Sequence, residues 1–122
     1  MLYTGLKFNL DIFLGVTPEE RRKLQIVNII FELKKNIKQE CLLNDNAKDY
    51  ICYQLLTQEV HQVLNNTEIR LLEYLCYQVY SIIKAQVDNT LVNVVVKKEC
   101  VDIVDDKGAE AYCKYIEFDS NL

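Results

Sequence analysis

Glu73 lies in the run Ile69-Arg70-Leu71-Leu72-Glu73-Tyr74-Leu75-Cys76, where a carboxylate among apolar neighbours needs a partner. At about 100° per residue, the stretch from Glu68 to Lys84 carries an apolar stripe of Leu72, Leu75, Cys76, Val79, Ile82 and Ile83. Glu73 falls at the margin of that stripe, where a helix can hold it firmly and still face it into a cleft. A half-exposed carboxylate on an amphipathic helix is the plainer alternative. Four more polar residues stand alone at element ends: Glu20, Gln25, Tyr50 and Lys98. Lys97 and Lys98 are neighbours in a strand and point to opposite faces, so only one of them can serve a given site. Each of these residues also has a plain reading as a solvated terminus. Better-known chemistries are absent. The chain has three glycines and no phosphate loop, and no GxSxG elbow. Its single histidine, His61, sits on the polar side of a helix with Gln58 and Gln62, where it reads as a surface residue. With no CxxC pair, a zinc site built from His and Cys has too few ligands. What is left is this set of isolated polar residues at element ends.

Composition sets the frame for those residues. The chain has 122 residues, half of them hydrophobic and 26% charged, enough for one domain with a real core. A net charge of -4 argues against nucleic acid or an anionic membrane as the main partner. Basic residues cluster only at Glu19–Lys23 and Lys34–Lys38, which read as a solvated turn and a strand end. The longest apolar runs fall far short of the roughly 20 residues that span a bilayer. The alternating segment Leu6–Phe13 is no signal peptide. Five scattered cysteines and no export signal then imply reduced thiols in a cytoplasmic protein.

Periodicity supplies the elements. Leu6, Phe8, Leu10, Ile12 and Leu14 alternate as a half-buried strand, and so do Val27, Ile29, Phe31 and Leu33. The segment from Gly15 to Lys23, with the only proline at Pro18, turns between them. Tyr50 opens a helix in which Cys52, Leu56, Val60 and Val63 repeat with a 3.6-residue period. Thr67 is the expected N-cap of a second helix, with Glu68 in its first turn. Leu91–Lys98 is a β-branched strand, Val101–Gly108 an acidic loop, and Ala111–Phe118 a last strand whose two faces are Cys113, Tyr115, Glu117 and Tyr112, Ile116, Phe118. The order ββααββ predicts an α+β domain: a four-stranded antiparallel sheet with both helices on one face. Leu91–Val96 is apolar at nearly every position, so both its faces want cover. That predicts an oligomer, unless the strand is simply a short core strand of a monomer.

Four segments carry a resemblance: Gly15-Val-Thr-Pro-Glu-Glu-Arg-Arg-Lys-Leu-Gln25, Asp49-Tyr50, Leu71-Leu-Glu-Tyr-Leu75 and Val94-Val-Val-Lys-Lys98. In order and spacing they resemble the dihydroneopterin aldolase family, from Leu6 to Phe118, with residues 1–122 forming one domain of that kind. The resemblance implies the tunnelling fold, an oligomeric barrel (tetramer or octamer) with sites at subunit interfaces, and a metal- and cofactor-independent lyase of folate biosynthesis. It implies that Glu73 anchors the pterin, assisted by the backbone of Leu72. It makes Lys98 the general acid/base, and Tyr50 a catalytic tyrosine supplied across a subunit boundary. Glu20 joins the catalytic set by organising water; Gln25 and Asp49 fall with the substrate-binding residues. Such chemistry suits the chain, because the ring imine of dihydroneopterin can accept the electrons of carbon–carbon cleavage once protonated. Cleavage to hydroxymethyl-dihydropterin and glycolaldehyde is the expected activity; an epimerase of dihydroneopterin or its triphosphate, or a non-catalytic pterin binder, are the alternatives. Two positions depart from the family pattern. Glu99-Cys100 follow Lys98 where the family usually has a proline, and Leu14 stands where a histidine often precedes Gly15. The zinc-dependent relatives of the fold need ligands this chain lacks.

Overall fold

The computed structural model describes residues 2–35, 39–45, 51–87, 90–100 and 108–118. Side chains that are apolar at every second residue force two long strands, β1 (Leu2–Leu14) and β2 (Leu24–Lys35), into an antiparallel pair. The register sets Leu10 opposite Val27, Phe8 opposite Ile29 and Leu6 opposite Phe31, so the middle of one face of the pair is apolar. A short helix, α1 (Gln39–Asn44), precedes α2 (Tyr53–Leu64), and α3 spans Leu72–Gln86. The chain returns through β4 (Leu91–Cys100) and β5 (Ala109–Ile116), antiparallel to each other, with β4 beside β2. The fold is α+β, as expected, with α2 and α3 packed on one face of the sheet.

Among the described residues the sheet has five strands rather than four. Glu68–Ile69 form a short β3 paired in parallel with Phe13–Leu14, giving the order β3-β1-β2-β4-β5. Thr67 is therefore not the N-cap of the following helix. Its carbonyl accepts the Phe13 N–H (2.9 Å), Ile69 accepts the Gly15 N–H (3.0 Å), and the helix starts later with Leu71 as its cap. The first long helix also begins later than expected, at Tyr53 after Cys52, and Tyr50 lies outside the described residues. Its buried face is Leu56, Val60 and Leu64; Val63 is exposed. His61 is half-buried rather than free on the surface, its ring tilted against Phe8 at 5.7 Å.

Between sheet and helices Val27, Ile29, Phe31, Leu33, Val92, Val94 and Val96 meet Leu75, Val79 and Ile83, all completely buried. Each such side chain contributes roughly 1.5–3 kcal/mol relative to exposure. The expectation that both faces of β4 want cover is met on one side only: Leu91, Asn93 and Val95 stay half-exposed on the face away from the helices. Ile26, Tyr112 and Ile116 are exposed on that same face.

Polar contacts aim α3. Lys84 near its C-terminus binds Glu117 (2.7 Å) and the Thr90 carbonyl (2.7 Å), while the Glu117 carboxylate also accepts the Val92 N–H (3.1 Å). Burial alone would raise the Glu117 carboxyl. The bonds from Lys84 and Val92, the Lys84 charge and the Tyr80 hydroxyl outweigh it and hold the group below its ordinary value. Tyr77, Tyr80 and Tyr115 stack beside this network, the closest rings 4.1 Å apart. The helix C-terminus is thus fixed at the start of β4, and its N-terminus is directed to the opposite end of the sheet.

The same packing predicts alkaline sensitivity. Burial first, then the neighbouring Cys113, pushes the Cys76 thiol up to about 12 from 9.0. Burial and Glu117 push Tyr80 up to about 12 from 10.0. Both groups favour the protonated form when folded, so their contribution is intact below the unfolded values and is lost as pH rises from 9 towards 12. The melting temperature is expected to fall steadily above about pH 9, and the fall should be shallower in Cys76→Ala. A melting temperature that stays level across this range in the parent protein would contradict the packing described for these two groups.

Candidate active site at one end of the sheet

The turn after β1 is built around Glu20. Thr17 and Glu20 bond reciprocally: Glu20 Oε1 accepts from the Thr17 N–H (3.3 Å) and hydroxyl (2.9 Å), while Thr17 Oγ1 accepts the Glu20 N–H (3.2 Å). The reciprocal bonds have the pattern of a capping box and lead into the short 3-10 turn Glu20–Arg22. The Thr17 bonds, with the charges of Lys98 and Arg21, hold the Glu20 carboxyl below its ordinary value. Glu20 is therefore ionised at neutral pH. The turn is tight against Gly15, because a Cβ there would lie 2.1 Å from Glu20 Cβ. Any larger residue at position 15 must displace Glu20.

Gln25, the second residue of β2, spans the neck of this turn. Its side-chain N–H groups donate to the carbonyls of Leu14 (2.5 Å) and Glu20 (3.1 Å). Lys98 sits on the helix-facing side of β4, opposite Val27, two residues along β2 from Gln25. It is half-buried and close enough for its charge to act on Glu20. Lys97 points to the other face, where it meets Glu110 at 3.8 Å. Lys98 is thus the lysine on the helix side, and Lys97 the one on the uncovered face.

Glu73 reaches this end by a different route. β3 pairs with the last residues of β1, so α3 begins beside the Gly15 turn. The first intrahelical bond runs from the Leu75 N–H to the Leu71 carbonyl (3.2 Å), leaving the helix no acceptor for the N–H groups of Leu72, Glu73 and Tyr74. Leu72 is half-buried against the core. Glu73 is exposed in the first turn, where the helix dipole favours a negative charge.

Five expected site residues, Glu20, Gln25, Leu72, Glu73 and Lys98, therefore gather at one end of the sheet. Asp49 and Tyr50 lie outside the described residues. Among the described residues no cluster of three or more His, Cys, Asp or Glu side chains could hold a metal. Sequence reasoning missed Thr17 and Arg21. The Thr17-x-x-Glu20 spacing, that of a capping box, was the available signal for the first. Arg21 has no local signal, since its acceptors come from Gly15, Val16 and the distant Glu68.

Residues 5–112 match the family model described as FolB, dihydroneopterin aldolase. No curated protein matches the chain. Solved structures share its fold. A dihydroneopterin aldolase (FolB) candidate from Vibrio cholerae O1 biovar El Tor superposes with a TM-score of 0.75 at 16% identity, over 96% of this chain and 98% of the other. The E. coli dihydroneopterin aldolase in complex with neopterin gives 0.71 at 15% identity, over 94% and 99%. A Burkholderia thailendensis dihydroneopterin aldolase bound to guanine gives 0.57 at 21%, over 96% and 90%. The curled sheet with its helices on one face is that of the tunnelling-fold structures in this set, and with a family match over most of its length the chain belongs to the dihydroneopterin aldolase (FolB) family.

Proposed function

We propose that this protein is a dihydroneopterin aldolase, cleaving dihydroneopterin to hydroxymethyl-dihydropterin and glycolaldehyde. The observation that carries the reading is the convergence of an ionised carboxylate, a half-buried lysine and a second carboxylate at one end of the sheet. Neopterin and guanine, the ligands of two structural neighbours, share one feature. Each presents an amino group beside a ring N–H, a pair of donors that two carboxylate oxygens match. Glu73 is the acceptor for that edge, with the backbone at Leu72 beside it.

With the pterin held there, its trihydroxypropyl tail extends towards Lys98 and Glu20. Cleavage needs the proton of the second side-chain hydroxyl removed and a proton delivered to the ring imine nitrogen. As the O–H proton leaves, the bond between the first and second side-chain carbons breaks, and its electron pair passes into the ring imine. The fragments are glycolaldehyde and an enamine, which becomes hydroxymethyl-dihydropterin when a proton is added at the exocyclic carbon and the proton on the ring nitrogen is given back, restoring the imine. Lys98 relays these protons with a bound water that Glu20 orients, and Gln25 and Asp49 hold the tail. Tyr50 of a neighbouring subunit completes the site.

The homo-oligomer rests on independent grounds. The sheet face away from the helices exposes Ile26, Tyr112 and Ile116, and among the described residues no strand pairs with the outer edge of β5. Large exposed apolar surface of this kind is covered in stable proteins. We take the assembly to be a tetramer or octamer of a cytoplasmic protein with reduced thiols; none of the five cysteines forms a disulfide, and no described helix is long and apolar enough to cross a membrane.

Incubating the protein with dihydroneopterin should release glycolaldehyde and hydroxymethyl-dihydropterin in equal amounts. Accumulation of the inverted side-chain isomer, with preference for the triphosphate, would assign the chain to the epimerase branch. Absence of both products would sink the catalytic reading.

A further inference from the structure

Arg21 is one of the most heavily bonded side chains near the site, with three acceptors within the chain. Its Nε–H donates to Glu68 Oε1 (2.7 Å), and one terminal nitrogen donates to the carbonyls of both Gly15 (2.9 Å) and Val16 (2.8 Å). The side chain is only 10% exposed, whereas that of Glu68 is 66% exposed. An isolated surface ion pair contributes little. This one is different in kind, because a largely covered guanidinium joins three acceptors from two separate segments.

Those segments are the two that carry the carboxylates. Gly15 and Val16 open the turn that ends at Glu20. Glu68 begins β3, which leads directly to Glu73 at the start of α3. We propose that Arg21 is a positioning residue, fixing the Gly15–Glu20 turn onto β3 and so setting the separation of Glu20 from Glu73. The mechanistic part of this rests on the aldolase reading above; the mechanical part does not.

Breaking the tie moves one side more than the other. β3 stays paired to β1 through the Phe13–Thr67 and Gly15–Ile69 bonds, and α3 is packed into the core. Beyond the Gly15–Ile69 bond at its first residue the turn has less to hold it: the Thr17–Glu20 bonds are internal to it, and Gln25 alone reaches it from β2. Loss of Arg21 therefore shifts Glu20 while leaving Glu73 in place. Lysine at this position keeps the charge but cannot span three acceptors.

Arg21→Lys tests this with two measurements. By amide hydrogen exchange on the ligand-free protein, the Thr17 and residue-21 N–H groups should exchange at least about tenfold faster, with Val27 and Val79 unchanged. With dihydroneopterin, kcat should fall by about tenfold or more while neopterin affinity changes by less than about threefold. In a Glu20→Ala background the same substitution should cost no further kcat. Unaltered exchange in the turn overturns the mechanical tie. An equal additional loss in the Glu20→Ala background overturns the positioning role. A parent protein that binds no pterin and turns nothing over would overturn the aldolase reading instead, and the exchange result would still decide the tie.

Discussion

Lys98→Ala is expected to lower turnover of dihydroneopterin by roughly 10²–10⁴-fold, the usual range for removing a general acid or base. Pterin affinity should change only a few-fold, because the lysine lies at the tail end of the proposed substrate pose and not at the pterin edge. The protein should remain folded. Lys98 is half-buried near the end of β4, beyond the fully buried Val96, so truncation opens no cavity in the core. The substitution also has an electrostatic signature. The Lys98 charge is one of the influences holding Glu20 ionised, after the Thr17 bonds, so the Glu20 carboxyl should titrate higher in the variant. Turnover close to that of the parent protein would remove Lys98 from the mechanism. Lys97→Ala is the internal control: its side chain lies on the opposite face, beside Glu110, and its loss should leave the chemistry intact.

The second large effect is on binding. Glu73→Ala should weaken neopterin binding by about 3 kcal/mol, roughly 100-fold, the lower end for two hydrogen bonds to a charged group. The lower end applies because Glu73 is exposed in the subunit and water competes for its oxygens. Glu73→Gln should lose nearly as much: the amide keeps one acceptor but turns a donor towards the second pterin donor. Stability should drop by at most about 1 kcal/mol, through the lost charge at the helix N-terminus. Calorimetry with both variants separates these outcomes from misfolding. Unchanged affinity in Glu73→Ala would place the pterin elsewhere.

Much of this arrangement is visible in the amino-acid order, because burial writes a period into the chain. Val27, Ile29, Phe31 and Leu33 alternate in sequence and are all completely buried, and Leu75, Cys76, Val79 and Ile83 form the helical stripe as spaced. The misreadings share a physical cause: long-range contacts override local preference. Thr67 and Glu68 look like a helix start, but pairing with Phe13 and Gly15 draws the segment into β3. At the end of α2, Leu64 rather than Val63 turns inward, and His61 is drawn half under Phe8 by its packing on β1. From the residues alone, Glu20, Gln25 and Lys98 were legible only as isolated polar residues at element ends, Glu73 as an acid at the margin of the apolar stripe and Leu72 as part of that stripe. Nothing local tells that β1, β2 and β4 bring those ends together, since the register between strands decides it. The tie made by Arg21 was invisible for the same reason: its acceptor Glu68 is 47 residues away. Asp49 and Tyr50, for which the family resemblance implies roles, lie outside the described residues.

A crystal structure of the protein with neopterin tests the central claim most directly. The pterin amino group and ring N–H should sit on the two oxygens of Glu73 at the start of α3, with the tail running towards Lys98 and Glu20. A neighbouring subunit should close the site. Neopterin bound away from the α3 N-terminus, or contacting neither Glu73 nor Lys98, would contradict it.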